Sequence, residues 1–258
     1  TLSLHDALPI FGAGPAAVHA AQDRIVHMLD GNVHIVDELR LGRERVQQLV
    51  RDHIGVEVVH ADPVEALNAA QLVQQLKAQN IYTIAYVDCF EDRAMGGQKE
   101  LAFMTEYGFN WMGPNNNYGW GNPSYEKVRD YLVGIVGELS QMGFDEILLY
   151  NAGFPTEGKI DTIKKDENYD TAKFAQIIGD FYDQAAQAAE QGGAKLSVVT
   201  TADTIQTGSD AKSGQTLDNL SKLSRVWLTD AGNNDLNALE QKLAEAGMKE
   251  RPLGVFTN

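Results

Sequence analysis

Cysteine is almost missing from this chain. Cys89 stands alone among 258 residues, which excludes an intrachain disulfide and any metal site built on several thiolates. Positive charge is also scarce: 21 basic side chains face 36 acidic ones, for a net charge of −15. Such a surface repels phosphate, and no basic patch interrupts it, so nucleic acid is excluded as an expected partner. Long apolar runs are absent too. Stretches such as Ile81–Val87 and Ile147–Tyr150 fall far short of the ~20 residues that a membrane-spanning helix requires. What remains, with 43% hydrophobic residues, is an ordinary globular composition, long enough for one large α/β barrel domain.

Two residue types are missing from only part of the chain. All six histidines (His5, His19, His27, His34, His53 and His60) precede residue 61, whereas lysine is absent before Lys77. The first ten residues, TLSLHDALPI, also match the translation of a common sequencing-library adapter residue for residue. The expected division is therefore adapter sequence over 1–10, a segment of different origin or reading frame over 11–60, and a barrel domain over 61–258. On this reading the first barrel strands and any export signal would lie upstream of what is present, and the exposed sheet edges would lower solubility. The segment 11–60 carries one motif. Gly12-Ala-Gly14-Pro-Ala-Ala17 has the G-x-G-x-x-A spacing of a dinucleotide-binding turn, followed by a helix-like stretch and the apolar Val33–Val36 ending at Asp37 and Glu38.

From residue 61 onward helical and strand patterns alternate. Helices are expected over Pro63–Gln79, Gln98–Tyr107, Pro123 to about Gly143, Thr171–Glu190, Thr216–Leu223 and Asp235–Ala246. Strands are expected over Ile81–Val87, Glu146–Tyr150, Leu196–Thr200, Arg225–Leu228 and Leu253–Phe256. These strands lack the polar alternation of a half-exposed sheet, so the expected fold is α/β, a (β/α)8 TIM-barrel-like domain truncated at its N-terminus. An open doubly wound sheet is the alternative.

In both architectures ligands bind at the C-terminal ends of the strands. There the sequence places Asp88, Glu91 and Asp92, then Tyr150 and Asn151, then Asp203, then Asp230, with Trp111, Tyr118 and Trp120 in a nearby loop. Carboxyl groups that protonate a leaving oxygen or attack an anomeric centre, together with flat aromatic faces for sugar rings, point to carbohydrate chemistry. Asp92, Asp88 and Asp203 are the candidate catalytic residues. Trp111, Trp120, Tyr150, Asn151 and Asp230 are the candidate substrate-binding residues.

The segment N-W-M-G-P-N-N-N-Y-G-W-G-N-P over 110–123, followed by a helix and then G-F-D-E-I-L-L-Y-N-A-G-F-P-T over 143–156, resembles a glycoside hydrolase family of bacterial (β/α)-barrel proteins. The strand I-Y-T-I-A over 81–85, with F-E-D over 90–92 beyond it, resembles the family's preceding strand and F-x-D turn. The likeness runs from about residue 64 to 258. It implies a barrel, activity on a polysaccharide or oligosaccharide, Asp92 as a site residue, and export to the cell envelope or beyond. The chain departs from the family pattern at three positions. Tyr150 stands where the resemblance implies a carboxylate, Gly153 where an arginine is frequent, and Asn122 at an aspartate position. The leading expectation is a glycosidase. A carbohydrate-binding barrel that has lost catalysis follows, and a dinucleotide-binding oxidoreductase using NAD comes third. The first two readings call for no cofactor and no metal.

Overall fold

The computed structural model describes residues 24–29, 32–37, 69–78, 80–92, 95–114, 119–229, 232–248 and 252–256. The β-branched and aromatic runs form strands as expected. In chain order the elements are β1 (Arg24–Leu29), β2 (Asn32–Asp37), α1 (Ala69–Ala78), β3 (Tyr82–Asp88), α2 (Glu126–Gln141), β4 (Glu146–Tyr150), α3 (Phe174–Gly192), β5 (Lys195–Thr200), α4 (Ala202–Thr207), β6 (Ser209–Asp210), β7 (Gln215–Thr216), α5 (Leu217–Leu220), β8 (Arg225–Leu228), α6 (Leu236–Glu245) and β9 (Leu253–Val255).

Seven strands make one sheet in the order β2-β1-β3-β4-β5-β8-β9, and a short β6–β7 hairpin stands apart. From β3 to β9 every pairing is parallel, and each strand lies beside the next one of the sheet in sequence. Strand side chains alternate between two faces. Ala85, Val87, Ile147, Leu149, Leu196, Val198, Val226 and Leu228 share one core with the apolar faces of all six helices. Ile84, Leu148 and Trp227 form a second core on the other face, flanked by Tyr82, Tyr86, Val199 and Phe256 and by no helix residue. Among the described residues helices lie on one face only and strand order from β3 to β9 does not reverse, which defines the singly wound sheet of a (β/α) barrel and not the doubly wound alternative. Among the described residues β2 and β9 do not pair, so the sheet runs open between them.

The region before β3 differs from its expectation. Val33–Val36 is indeed strand, within β2. The helix-like stretch ahead of it instead contains β1, which pairs antiparallel with both β2 and β3. A dinucleotide turn needs a helix crossing over to a parallel strand, and an antiparallel hairpin replaces that crossover. Gly12, Gly14 and the segment 1–10 lie outside the described residues.

The G-F-D-E-I block proves to be the anchor of the N-terminal end of the sheet. Gly143 has φ 97°, a left-handed conformation that glycine adopts freely, and it ends the turn after α2. Phe144 is buried. Asp145 accepts hydrogen bonds from the Thr83 backbone N–H (2.8 Å) and hydroxyl (2.9 Å) at the start of β3 and pairs with Lys77 of α1 (2.9 Å). Glu146, fully buried on the helix-free face, accepts from the Trp227 indole N–H and the Tyr82 hydroxyl, each at 3.0 Å, with Arg225 at 3.6 Å. Helices α2 and α3 approach so closely that a Cβ on Gly192 would lie 2.6 Å from the Ser140 carbonyl carbon.

Candidate functional site

At the opposite, C-terminal end, β3 and β4 stay locked together beyond their last residues. Asp88 is the ladder partner of Tyr150, the Cys89 N–H donates to the Tyr150 carbonyl (2.9 Å), and the Phe90 N–H donates to the Asn151 carbonyl (3.2 Å). Asn151 then turns the chain with φ 47°, a left-handed conformation that asparagine tolerates better than most residues. This turn aims its amide across the strand ends. One nitrogen, Nδ2, donates both to Asp88 Oδ1 (2.9 Å) and to Glu91 Oε2 (3.1 Å). Because both partners are carboxyl acceptors, the nitrogen and not the oxygen of the amide must face them. The Tyr86 and Tyr150 rings pack beside this group with centroids 5.4 Å apart.

Glu91 is the unusual member. It is half-buried, and its Oε1 is shielded from solvent with no hydrogen-bond partner among the described residues. Burial pushes its carboxyl above the usual glutamate range, against the smaller opposing pull of the Asn151 hydrogen bond. Its backbone bridges antiparallel to Trp120, which fixes the side chain relative to the long loop between β3 and α2. A carboxyl whose proton is held more tightly than usual and that has one oxygen unclaimed among the described residues is suited to donating that proton to a ligand.

The other expected residues fall elsewhere. Asp92 faces the helix side: its Oδ1 accepts from the Met95 N–H (2.7 Å), its carbonyl accepts from the Gly96 N–H (2.8 Å), and its charge reaches Tyr131 of α2, whose phenol is pushed up chiefly by burial. Asp203 is exposed in the first turn of α4, one residue after Ala202 and beyond the Thr201 N-cap, where a carboxylate complements the helix dipole. The Asn151 nitrogen joins Asp88 to Glu91 and not to either of these two. Asp230 and Tyr118 lie outside the described residues.

Trp111 and Trp120 are 2% and 4% exposed, and their indole N–H groups donate to the Lys159 carbonyl (3.0 Å) and the Gly153 carbonyl (3.2 Å). Packed edge to face, they are the core of the loop layer and offer no free ring face to a sugar. The short helix expected over Gln98–Tyr107 is replaced by isolated bridges, Ala102 with Gly121 and Met104 with Asn110, which these two indoles hold down.

Two of the three departures from the family pattern have local explanations. Asn122 is buried, and its Oδ1 accepts from the Ser124 N–H (2.9 Å), an Asx turn ahead of α2 that an aspartate would make equally. Gly153 lies so close to the loop before β7 that an added Cβ would sit 2.8 Å from the Ser213 carbonyl oxygen. The turn it belongs to is further held by the Tyr182 hydroxyl on the Ala152 carbonyl (2.9 Å) and the Phe154 N–H on the Ser213 carbonyl (2.9 Å). Tyr150 has no such structural reason. Among the described residues no group of His, Cys, Asp and Glu could hold a metal ion, and no helix is long and apolar enough to cross a membrane.

A singly wound α/β sheet with two carboxyl groups joined at its C-terminal end defines a barrel-type α/β protein. The family described as "Putative glycosyl hydrolase domain" matches residues 53–226, and the chain belongs to that family. Among solved structures it is similar to a hypothetical protein from Ruminiclostridium thermocellum ATCC 27405, at 24% identity over 60% of this chain and 90% of that one, with a TM-score of 0.44. It is also similar to Aspergillus fumigatus Ega3 in complex with galactosamine, at 12% identity over 76% and 72% of the two chains, with a TM-score of 0.46. A third similar structure is that described as "putative sporulation-specific glycosylase ydhD from Bacillus subtilis", at 13% identity over 76% of this chain and 58% of that one, with a TM-score of 0.43. No curated protein matches the chain.

Proposed function

We propose that this protein is a glycoside hydrolase acting on a polysaccharide or oligosaccharide, with Glu91 as the proton donor and Asp88 as its partner carboxylate. The observation that carries this reading is the single Asn151 nitrogen shared by the two carboxyl groups, one of which keeps an unpaired oxygen. Glu91 gives its proton to the glycosidic oxygen as the bond to the anomeric carbon breaks. Asp88 stabilises the positive charge that builds up on that carbon. Water then supplies the hydroxyl to the anomeric carbon and returns a proton to Glu91, so the site ends as it began.

This assignment moves the chemistry from Asp92 to its neighbour. Asp92 is occupied by backbone donors, whereas Glu91 is not. It also bears on the missing acid at Tyr150: Asp88 is the ladder partner of that tyrosine, so a carboxylate stands one strand away from the position where the resemblance implies one. The test is reducing-end release from a panel of polysaccharides by wild type, Glu91→Gln and Asp88→Asn. Loss of about 10²- to 10⁴-fold in either variant, with an unchanged melting profile, supports the reading. Full activity in Glu91→Gln refutes it.

A further inference from the structure

Among the described residues, three large apolar side chains are left in solvent: Tyr107 at 86% exposure, Phe109 at 70% and Met112 at 37%. All three belong to the loop between β3 and α2, which begins at the candidate site. Their exposure does not come from a loose segment. The Thr105 N–H donates to the Phe109 carbonyl (2.7 Å), the Gly108 N–H to the Thr105 carbonyl (2.9 Å), and the Phe109 N–H to the Thr105 hydroxyl (3.2 Å). Gly108, at φ 79°, makes the turn between the two rings. Below the tip, Thr105 bridges to Ile163 and Met104 to Asn110, and the Lys164 N–H donates to the Met104 carbonyl (2.8 Å).

The tip is connected to the site through successive backbone pairs. Glu91 bridges to Trp120, the Trp120 carbonyl accepts from the Phe103 N–H (2.9 Å), and the Phe103 carbonyl accepts from the Trp111 N–H (2.7 Å). The tip, closed by the Met104–Asn110 bridge and the Thr105–Phe109 hydrogen bond, is thus part of the same hydrogen-bonded loop that begins at Glu91. A hydrogen-bonded turn that holds two aromatic rings in water has already lost much of the conformational entropy that binding would otherwise cost. Exposed apolar groups fixed in this way mark contact sites, and aromatic rings match the C–H faces of sugars.

We propose that Tyr107 and Phe109 form a sugar-binding platform, an outlying subsite that holds an uncharged polysaccharide chain running on from the Asp88 and Glu91 pair. The net charge of −15 and the Glu106 carboxylate beside Tyr107 argue against an acidic glycan as the occupant. The platform rests on the glycosidase reading for its direction but not for its binding. The two therefore fail separately: hydrolysis tests the carboxyl pair, and binding without turnover tests the platform.

The experiment is electrophoresis of the full chain through native gels cast with hydroxyethylcellulose, soluble starch, galactomannan or mixed-linkage β-glucan, and with polygalacturonate as the acidic counterpart. The expected result is retardation in at least one uncharged gel, retained by Glu91→Gln and weakened about tenfold or more in Tyr107→Ala/Phe109→Ala. A Tyr107→Trp/Phe109→Trp variant restores it. The melting temperature of the alanine variant should match wild type, because both side chains are exposed. Equal retardation of wild type and the alanine variant overturns the platform, as does retardation by polygalacturonate alone or by none of the gels. Loss of hydrolysis in Glu91→Gln with retardation intact supports both proposals. Hydrolysis that survives Glu91→Gln refutes the carboxyl assignment and leaves the platform to be judged on its gels.

Discussion

Glu146 and Glu91 sit at opposite ends of the same parallel strands, and they are solvated in opposite ways. Glu146 at the N-terminal end is fully buried, yet both of its oxygens are claimed, one by Trp227 and the other by Tyr82 with Arg225 close by. Glu91 at the C-terminal end is less buried, yet one oxygen has no partner among the described residues and its proton is held more tightly than usual. The contrast separates structure from chemistry. A buried charge whose acceptor positions are all filled fixes strands in register, whereas one left partly unfilled at a strand end stands ready for a ligand.

The widest test of that contrast is substitution at each end with the same two measurements. Glu91→Gln should remove about 10²- to 10⁴-fold of activity and leave the fold intact. Glu146→Ala should do the reverse. It strands the Arg225 guanidinium, whose side chain is 14% exposed, together with the Tyr82 and Trp227 donors, and should destabilise the protein by about 3–5 kcal/mol. That corresponds to roughly 10 °C in thermal unfolding, read by circular dichroism. Replacing both Glu146 and Arg225 by methionine should recover part of the loss, because the uncompensated charge is then gone. If Glu146→Ala instead abolished turnover in a fully folded protein, the assignment of the two ends would be reversed.

A smaller effect is expected at the residue that joins the carboxyl groups. Asn151→Ala places at φ 47° a residue that tolerates the left-handed region less well than asparagine and should cost about 1 kcal/mol. It also removes the hydrogen bond that holds the Glu91 carboxyl down, so the alkaline limb of activity should move to higher pH. Asn151→Gly separates these two consequences. Glycine accepts the backbone conformation, so most of the stability should return while the displaced limb persists. A pH profile unchanged in both variants would remove Asn151 from the site.

Much of this layout could be read from the chain. The strands Glu146–Tyr150 and Arg225–Leu228 match their expected bounds, because their apolar runs are short and flanked by turn residues. The strand-end rule drew attention to the end of the sheet where Asn151 joins Asp88 to Glu91. The joining of Glu91 to Asp88 was beyond the sequence: it depends on Asn151, which reaches Glu91 from 60 positions away through a backbone conformation no pattern announces. The tryptophans misled for a similar reason. Their burial depends on carbonyl partners 48 and 33 residues distant, so their exposure could not be judged locally. Tyr107 ended a stretch that reads as a helix and Phe109 lay two residues beyond it; bridges from Ala102 to Gly121 and from Met104 to Asn110 stand where helical hydrogen bonds were expected, and both rings are in water.

The finest test of the contrast is how stability depends on pH. Burial raises the Glu91 carboxyl above its ordinary value of 4.5, so the native state holds this proton more tightly than the unfolded chain does. The resulting stabilisation is complete below the unfolded value and is lost as pH rises through the folded one. Wild type should therefore lose stability relative to Glu91→Gln as pH climbs from about 4.5 through the weakly acidic range. Glutamine cannot ionise, so this component vanishes from the variant, and at neutral pH the inactive variant should be the more stable of the two. A protein that keeps a poorly solvated acid is less stable, once that acid ionises, than it would be without it. Parallel melting curves for the two proteins across that range would mean that the Glu91 oxygen is solvated after all, and the difference between the two ends of the sheet would narrow accordingly.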